Sequence, residues 1–81
     1  MNFVWPASSR AELQAIERSS AVKILEALTR FANTGAGDVK ALTGAWSGYT
    51  RIRIGDYRAI MLVEPTQITV VRVKHRSEIY R

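Results

Sequence analysis

Apolar and polar positions repeat with two different periods along this chain, helical in the first half and strand-like in the second. The short apolar run Phe3-Val4-Trp5 stops at Pro6, which predicts one strand at the edge of a sheet. Ser9 and Glu12 then have the S-x-x-E spacing of a capping box, in which each side chain satisfies an amide at the start of a helix. A first helix is therefore predicted over residues 8 to 18.

A second, more regular helix is predicted after Ser19 and Ser20, both of which are suitable N-cap residues. Gly35 is a suitable C-cap, because many helices end on a glycine in the left-handed conformation. Between them, apolar residues recur at spacings of three and four. These residues are Ala21, Ile24, Leu25, Leu28, Phe31 and Ala32. We expect residues 35 to 48 to form a long connection with one anchored apolar segment at 39 to 42.

Three strands are predicted over residues 49 to 54, 57 to 64 and 67 to 74. Gly55-Asp56 and Pro65-Thr66, which separate them, are turn-forming pairs. The order strand, helix, helix, strand, strand, strand predicts a single α+β domain over residues 1 to 81. Its helical hairpin packs on one face of a small, mostly antiparallel sheet.

Basic residues gather on one face of the first of these three strands. Period-two alternation puts Tyr49, Arg51 and Arg53 on the same side of that strand. A two-residue turn at Gly55-Asp56 pairs Arg53 with Arg58, and paired residues project to one face. Arg51, Arg53 and Arg58, here called the arginine cluster, repel one another unless an anion such as a phosphodiester lies among them. The alternative is a solvated face whose arginine stems cover apolar surface.

The pairing of the last two strands decides which residues join the arginine cluster, and the sequence leaves two pairings open. If the second turn has two residues, Arg58 pairs with Val73 and His75 lies beside the arginine cluster. A loop one residue longer brings Arg72, Lys74 and Arg76 there instead. His75 is the single histidine of the chain, and its place at the end of the last strand makes it a candidate for proton transfer, with a structural role as the alternative.

Charge and composition narrow the class of function. Of the net charge of +5, most lies in residues 49 to 81, which carry seven Lys and Arg against three acidic residues. This half is therefore the candidate functional face, and an anionic partner is expected. The chain has no cysteine, no phosphate-binding loop and no metal-ligand motif, so neither a metal nor a cofactor is expected. Trp5 and Trp46 are expected in the core or at its rim, with stacking on nucleobases as the alternative.

The beginning of the chain has neither the basic start nor the apolar run of a signal peptide. Its apolar stretches are also all shorter than the roughly 18 residues that span a bilayer. We therefore expect a cytoplasmic protein with no membrane contact.

Three segments together form a specific combination of motifs. They are Leu42-Thr43-Gly44, the run of residues 48 to 58 with its Y-x-R-I-R and GDYR sequences, and the closing HR-x-E-I-Y of residues 75 to 80. This combination resembles the RelE group of the RelE/ParE superfamily of bacterial toxins. The order of elements is similar over essentially the whole chain, which implies a RelE-like fold.

The resemblance implies a toxin that cleaves mRNA without a metal, typically on the ribosome, by attack of a ribose 2′-hydroxyl on the adjacent phosphate. By motif, Arg51 and Arg53 fall at a basic pair that is often lysine, and Arg58 falls at a phosphate-holding arginine. Because arginine keeps its proton near neutral pH, proton transfer is assigned to His75 or to Tyr80, which is also a candidate for base stacking. The residues expected to bind RNA or phosphate are Lys74, Arg76, Arg81 and Tyr49.

A toxin of this kind implies a cognate antitoxin, usually with an acidic segment that folds on the toxin and neutralises its basic sheet. Two alternatives remain. The first is a ParE-like toxin that inhibits DNA gyrase and cleaves no RNA. The second is a non-enzymatic nucleic-acid-binding module, whose binding would depend steeply on salt and tolerate replacement of His75 or Tyr80.

Overall fold

The computed structural model describes residues 2 to 80, in which two helices pack on one face of a five-stranded sheet. The elements are β1 (Asn2–Val4), α1 (Ala7–Gln14), α2 (Arg18–Thr34), β2 (Asp38–Ala41), a 3-10 helix (Gly44–Trp46), β3 (Thr50–Ile54), β4 (Tyr57–Val63) and β5 (Gln67–His75). The strand order is β1-β5-β4-β3-β2, with β1 parallel to β5 and the other pairs antiparallel. The predicted α+β fold, the amino-terminal edge strand and the three-stranded meander are confirmed.

Helix α1 forms without the predicted capping box and ends four residues before the predicted boundary at 18. Pro6 occupies the N-cap position, and Ser9 lies buried inside the helix. The Ser9 hydroxyl donates a hydrogen bond to the Pro6 carbonyl at 3.1 Å. The interpretation of Ser9 and Glu12 as a capping box is therefore wrong, and the Glu12 carboxylate reaches β5 instead.

Helix α2 has Glu17 at its N-cap position rather than a serine. The hydroxyls of Ser19 and Ser20 donate to the Glu17 carboxylate at 3.1 and 2.9 Å, so the two predicted caps are wrong. At the other end Gly35 adopts φ 74°, and its amide donates to the Phe31 carbonyl at 2.8 Å. The predicted glycine C-cap is confirmed.

Residues 38 to 41 form the edge strand β2, which the sequence did not predict. This strand pairs with β3 along its whole length, and Lys40 lies opposite Arg51. All four of its side chains are exposed, so residues 39 to 41 are not anchored as predicted, whereas Leu42 is half-buried. An exposed edge strand is held by backbone pairing, and it therefore needs none of the alternation by which buried strands are recognised.

The hydrophobic core lies between the helices and the sheet, and its central side chains are at most 1% exposed. They are Ile24 and Leu28 of α2 with Ile52, Ala59, Met61, Ile68, Val70 and Val73 of the sheet. Trp5 packs against this core, as predicted. Ile60 and Ile79 are equally buried but outside the cluster. Because Ile60 alternates with Ala59 and Met61, it projects to the opposite face of the sheet.

A bulge in β5 shifts its register against β4 by one residue. The turn at Pro65-Thr66 has the predicted two-residue form, yet beyond the bulge Arg58 pairs with Lys74 and not with Val73. Of the two pairings that the sequence left open, the one that places Val73 opposite Arg58 is therefore wrong, and the face expected from the other is found, although a bulge and not a longer loop produces it. Arg72 and Lys74 consequently project to the same face as Arg58.

Within residues 2 to 80, neither helix combines the length and the apolar character needed to cross a membrane.

Candidate functional site

Two rows of paired side chains cross the face of the sheet that points away from the helices. One row, from β2 to β5, is Asp38, Arg53, Arg58 and Lys74; the next is Lys40, Arg51, Ile60 and Arg72. Neighbouring strands lie about 4.8 Å apart, so the side chains within a row are close neighbours. We call the five cations that β3, β4 and β5 contribute (Arg51, Arg53, Arg58, Arg72 and Lys74) the basic face. It contains the whole predicted arginine cluster.

Arg51 lies within the second row with 21% of its side chain exposed. Its Nε is buried and has no hydrogen-bond partner within residues 2 to 80. Its Nη2 is 3.9 Å from the Asp38 carboxylate, which is also 3.9 Å from Nε of Arg53. Both distances are long for an ion pair that shares a hydrogen bond. An unsatisfied buried donor is costly, so Arg51 has an unmet hydrogen-bonding capacity within the basic face.

Arg58 is held by the turn between β3 and β4. Its Nη1 donates to the carbonyls of Gly55 at 2.8 Å and Tyr57 at 2.9 Å. Partial burial lowers the pKa of Arg58 below its ordinary value, and nearby positive charges lower it further. Those charges belong to Arg53, Arg51 and Arg76. Arginine nevertheless stays charged near neutral pH, so a bound anion would relieve this repulsion.

Glu12 of α1 holds the β5 side of the basic face. Its Oε2 is 3.7 Å from Nη2 of Arg72 and 3.8 Å from Nζ of Lys74. Its Oε1 accepts a hydrogen bond from the Val73 amide at 2.9 Å. Arg72 also donates through Nη1 to the Ile79 carbonyl at 2.9 Å. This bond fastens the turn that follows β5 to the basic face.

His75 lies on the helix side of the sheet and not beside the arginine cluster. Its ring is 5.7 Å from that of Tyr57, in an edge-to-face contact, and Tyr57 packs against the core. Its Nδ1 accepts a hydrogen bond from the Ser77 amide at 3.2 Å and is 2.9 Å from the Ser77 hydroxyl. The ring therefore stabilises the turn after β5. The bulge causes this placement, because it moves Lys74 to the face that a regular register would give to His75.

An aromatic pocket borders the β2 side of the basic face. Its lining includes Lys40, Trp46 and Tyr80, together with residues 41 to 43 and Ala45. Tyr80 is 54% exposed, and Trp46 lies at the rim of the fold, in edge-to-face contact with Tyr49 at 5.5 Å. Because Lys40 pairs with Arg51, the pocket adjoins the basic face. Aromatic rings next to cations are typical of surfaces that bind single-stranded nucleic acid.

Arg76, another predicted site residue, lies near the turn after β5. The Arg76 amide donates to the Asp56 carbonyl at 2.8 Å, and its Nε is 3.9 Å from the Asp56 carboxylate. Arg76 is close enough to Arg58 to lower its pKa. Arg81 lies outside the described residues. From residue 2 to residue 80, histidine and carboxylate side chains form no group of three or more that could hold a metal ion.

The contributions of Glu12 and Lys40 to this surface were not predicted from the sequence, and Trp46 was assigned to the core or its rim with base stacking only as the alternative. Glu12 contacts a residue 61 positions away, and no local pattern signals such a contact. For Arg72 and Lys74 a signal exists: the buried positions Ile68, Val70 and Val73 are separated by two and then by three residues. Such a break in period-two alternation is the mark of a bulge.

Comparison with known proteins agrees with this fold. A protein-family model described as the ParE toxin of type II toxin-antitoxin systems, parDE, matches residues 3 to 80. The chain belongs to the ParE toxin family. Its membership of the RelE/ParE superfamily, predicted from the motifs, is thereby confirmed. No curated protein sequence matches this ParE-family toxin at a significant level.

Several solved toxin structures share the fold of this ParE-family toxin. The RelBE2 toxin-antitoxin complex from Mycobacterium tuberculosis matches with a TM-score of 0.80 and 20% identity, over 93% of this chain and 96% of that chain. The RelB-RelE antitoxin-toxin complex from Methanococcus jannaschii matches with a TM-score of 0.74 and 23% identity, over 95% of this chain and 94% of that chain. The YoeB-YefM toxin-antitoxin complex from Staphylococcus aureus matches with a TM-score of 0.78 and 22% identity, over 93% of this chain and 95% of that chain. The predicted RelE-like fold is confirmed.

Proposed function

We propose that this toxin is a metal-independent endoribonuclease that cleaves mRNA on the ribosome and so stops translation. The observation that carries the proposal is the face of five cations on three adjacent strands, within which the Nε of Arg51 has no hydrogen-bond partner among residues 2 to 80. Mutual repulsion makes such a face unfavourable unless it binds anions, and an RNA backbone supplies one phosphate per nucleotide. The resemblance of the motifs to the RelE group supports RNA as the source of those phosphates.

In the proposed reaction the scissile phosphate lies among Arg51, Arg53 and Arg58. The ribose 2′-oxygen attacks phosphorus and gives its proton to a base, while the bond from phosphorus to the 5′-oxygen breaks. The leaving 5′-oxygen takes a proton from an acid, which yields a 2′,3′-cyclic phosphate and a 5′-hydroxyl. The arginines stabilise the charge that grows on the phosphate oxygens, a contribution that is typically the largest in such sites.

Lys74 and Tyr80 are the proposed proton-transfer groups. Lys74 lies directly opposite Arg58, and an amine both takes up and releases protons where a guanidinium does not. Tyr80 is exposed beside the same surface, where its phenol either donates a proton or stacks on a base. His75 lies across the sheet, so we assign it a structural role in the turn after β5.

The aromatic pocket is the proposed site for a nucleobase next to the scissile phosphate. Trp46 and Tyr80 offer rings for stacking, and Lys40 connects the pocket to Arg51. Arg76, on the opposite side near Asp56, is placed to contact a flanking phosphate. The single-stranded RNA would then run across the sheet rather than along its strands.

The proposed partner in the resting state is a cognate antitoxin with an acidic segment. The Mycobacterium tuberculosis and Staphylococcus aureus relatives were solved as toxin-antitoxin complexes. Carboxylates of such a segment would satisfy the basic face in place of phosphates, which would both stabilise the toxin and exclude RNA. We place the protein in the cytoplasm, where mRNA and ribosomes are found.

A cell-free translation reaction tests the proposal. We expect the purified protein to produce mRNA fragments with new 5′-hydroxyl ends inside translated frames, and an Arg51→Gln protein to produce none. Intact mRNA with the wild-type protein would contradict the proposal. Supercoiling by DNA gyrase, measured in parallel, identifies the gyrase alternative if it is inhibited. RNA binding without cleavage, unchanged in Lys74→Gln and Tyr80→Phe, identifies the binding-module alternative.

A further inference from the structure

One carboxylate connects helix α1 with the bulged part of β5. Glu12 has 19% of its side chain exposed and is in contact with three successive residues of β5, the Val73 amide and the charged ends of Arg72 and Lys74. A carboxylate that is mostly removed from water is unfavourable unless its partners are charged or donate hydrogen bonds. Glu12 has both kinds of partner.

The position of Glu12 follows from the short length of β1. That strand pairs with β5 only from Gln67 to Thr69. Within the described part of the chain, the same edge of β5 further along has no strand beside it. The Val73 amide at this edge would lack a partner without Glu12, and an unpaired edge amide also weakens the strand locally. Oε1 of Glu12 thus accepts the hydrogen bond that a neighbouring strand would otherwise accept, and Oε2 lies near the charged ends of Arg72 and Lys74.

We propose that Glu12 is a positioning residue of the basic face: its charge holds the Lys74 ammonium group in one place at the β5 edge of that face, and its hydrogen bond holds the bulge. A lysine side chain is long and flexible, so it needs a partner to keep one direction. Glu12 is 3.8 Å from Nζ of Lys74 and 3.7 Å from Nη2 of Arg72, at the edge of β5 that does not face β4. The effect on cleavage rests on the proposed function, whereas the effect on Lys74 does not.

The Glu12→Gln variant separates the two parts of this role. Glutamine keeps an oxygen that accepts the Val73 amide, but it removes the charge that faces Lys74. We expect slow hydrogen exchange of the Val73 amide in both proteins. We expect NMR relaxation to show an ordered Lys74 side chain in the wild type and, in Glu12→Gln, one as mobile as that of Lys23, an exposed lysine of α2. Equal mobility of Lys74 in both proteins would overturn the proposal.

The effect of Glu12→Gln on catalysis is measured as the kcat and KM of RNA cleavage. Because Lys74 is displaced while Arg51, Arg53 and Arg58 still hold the phosphate, kcat should fall about tenfold or more, with KM changed less than about threefold. Glu26→Gln, an exposed substitution on α2, is the matched control and should keep wild-type values. Loss of Lys74 order with wild-type kcat would overturn the role in catalysis. If the wild-type protein cleaves no RNA, the proposed function fails, and the relaxation measurement alone decides the role of Glu12.

Discussion

Arg58 of β4 lies directly opposite Lys74 of β5, although the two-residue turn between these strands would place Val73 there in a regular ladder. One additional residue in β5 causes the difference. Adjacent residues of a strand lie on opposite faces, and the bulge decides that Lys74 and not His75 lies on the basic face. Lys74 joins the arginines, and His75 joins Tyr57 on the helix side.

Replacement of Arg53 tests the catalytic role of the basic face with little expected change in the free energy of unfolding. The Arg53 side chain is 57% exposed, and its ion pair with Asp38 spans 3.9 Å. Arg53→Gln should lower the cleavage rate about 10²-fold, because it removes charge next to the scissile phosphate. The free energy of unfolding should change by less than about 0.5 kcal/mol, because exposed ion pairs contribute little and repulsion with Arg58 is relieved. Single-turnover cleavage and urea unfolding measure the two effects, and a large loss of stability would contradict this separation.

Lys74 and His75 should differ in their importance for catalysis. Lys74→Gln should lower kcat about 10²- to 10⁴-fold, the range for loss of a proton-transfer group. His75→Gln should lower it less than about tenfold, because the imidazole faces away from the basic face and contacts Ser77 and Tyr57. Cleavage rates of the two purified variants, with thermal unfolding as the check on folding, decide the matter. The reverse order of effects would return proton transfer to His75.

Divalent oxyanions should stabilise the protein by binding to the basic face. At about five times its dissociation constant, sulfate should add about 1 kcal/mol to the free energy of unfolding. For a domain of this size, that amount raises Tm by roughly 4–8 °C. Sodium sulfate is compared with sodium chloride at equal ionic strength, and Arg51→Gln provides the control for the general effect of sulfate on folding. The same sulfate shift in both proteins would show that no specific anion site exists.

Ile79 should contribute to stability as much as a residue of the main core. It is 1% exposed, and its carbonyl accepts the bond from Arg72. Ile79→Ala should lower the free energy of unfolding by about 2–5 kcal/mol, as expected for removal of three buried carbons. Urea unfolding measures this loss, with Leu25→Ala on the exposed side of α2 as a comparison that should cost much less. A loss of less than about 0.5 kcal/mol would show that the turn after β5 is loosely packed.

The parts of the fold that follow from local sequence were predictable. The glycine C-cap at Gly35, the turn at Gly55-Asp56 and the meander that follows it depend on residues close together in the chain. The pairing of Arg53 with Arg58 follows from that same turn. The three-arginine part of the basic face could therefore be predicted without a structure.

The remaining parts depend on contacts between distant segments. β2 is held by the backbone of β3 and carries no apolar pattern, so its sequence looks like a loop. Glu12 meets Val73 only because β1 is too short to cover that edge of β5. The spacing of the buried residues in β5 signals the bulge, but turn length alone favours the regular register. The bulge alone therefore decides whether Lys74 or His75 lies on the basic face.

The most direct test of the central claim is the mapping of mRNA 5′ ends in growing cells after induction of the wild-type chain or of Arg51→Gln, at matched protein levels. We expect growth arrest and new ends within translated frames for the wild type, with neither effect for Arg51→Gln. Growth arrest by the wild type with intact mRNA would contradict the claim.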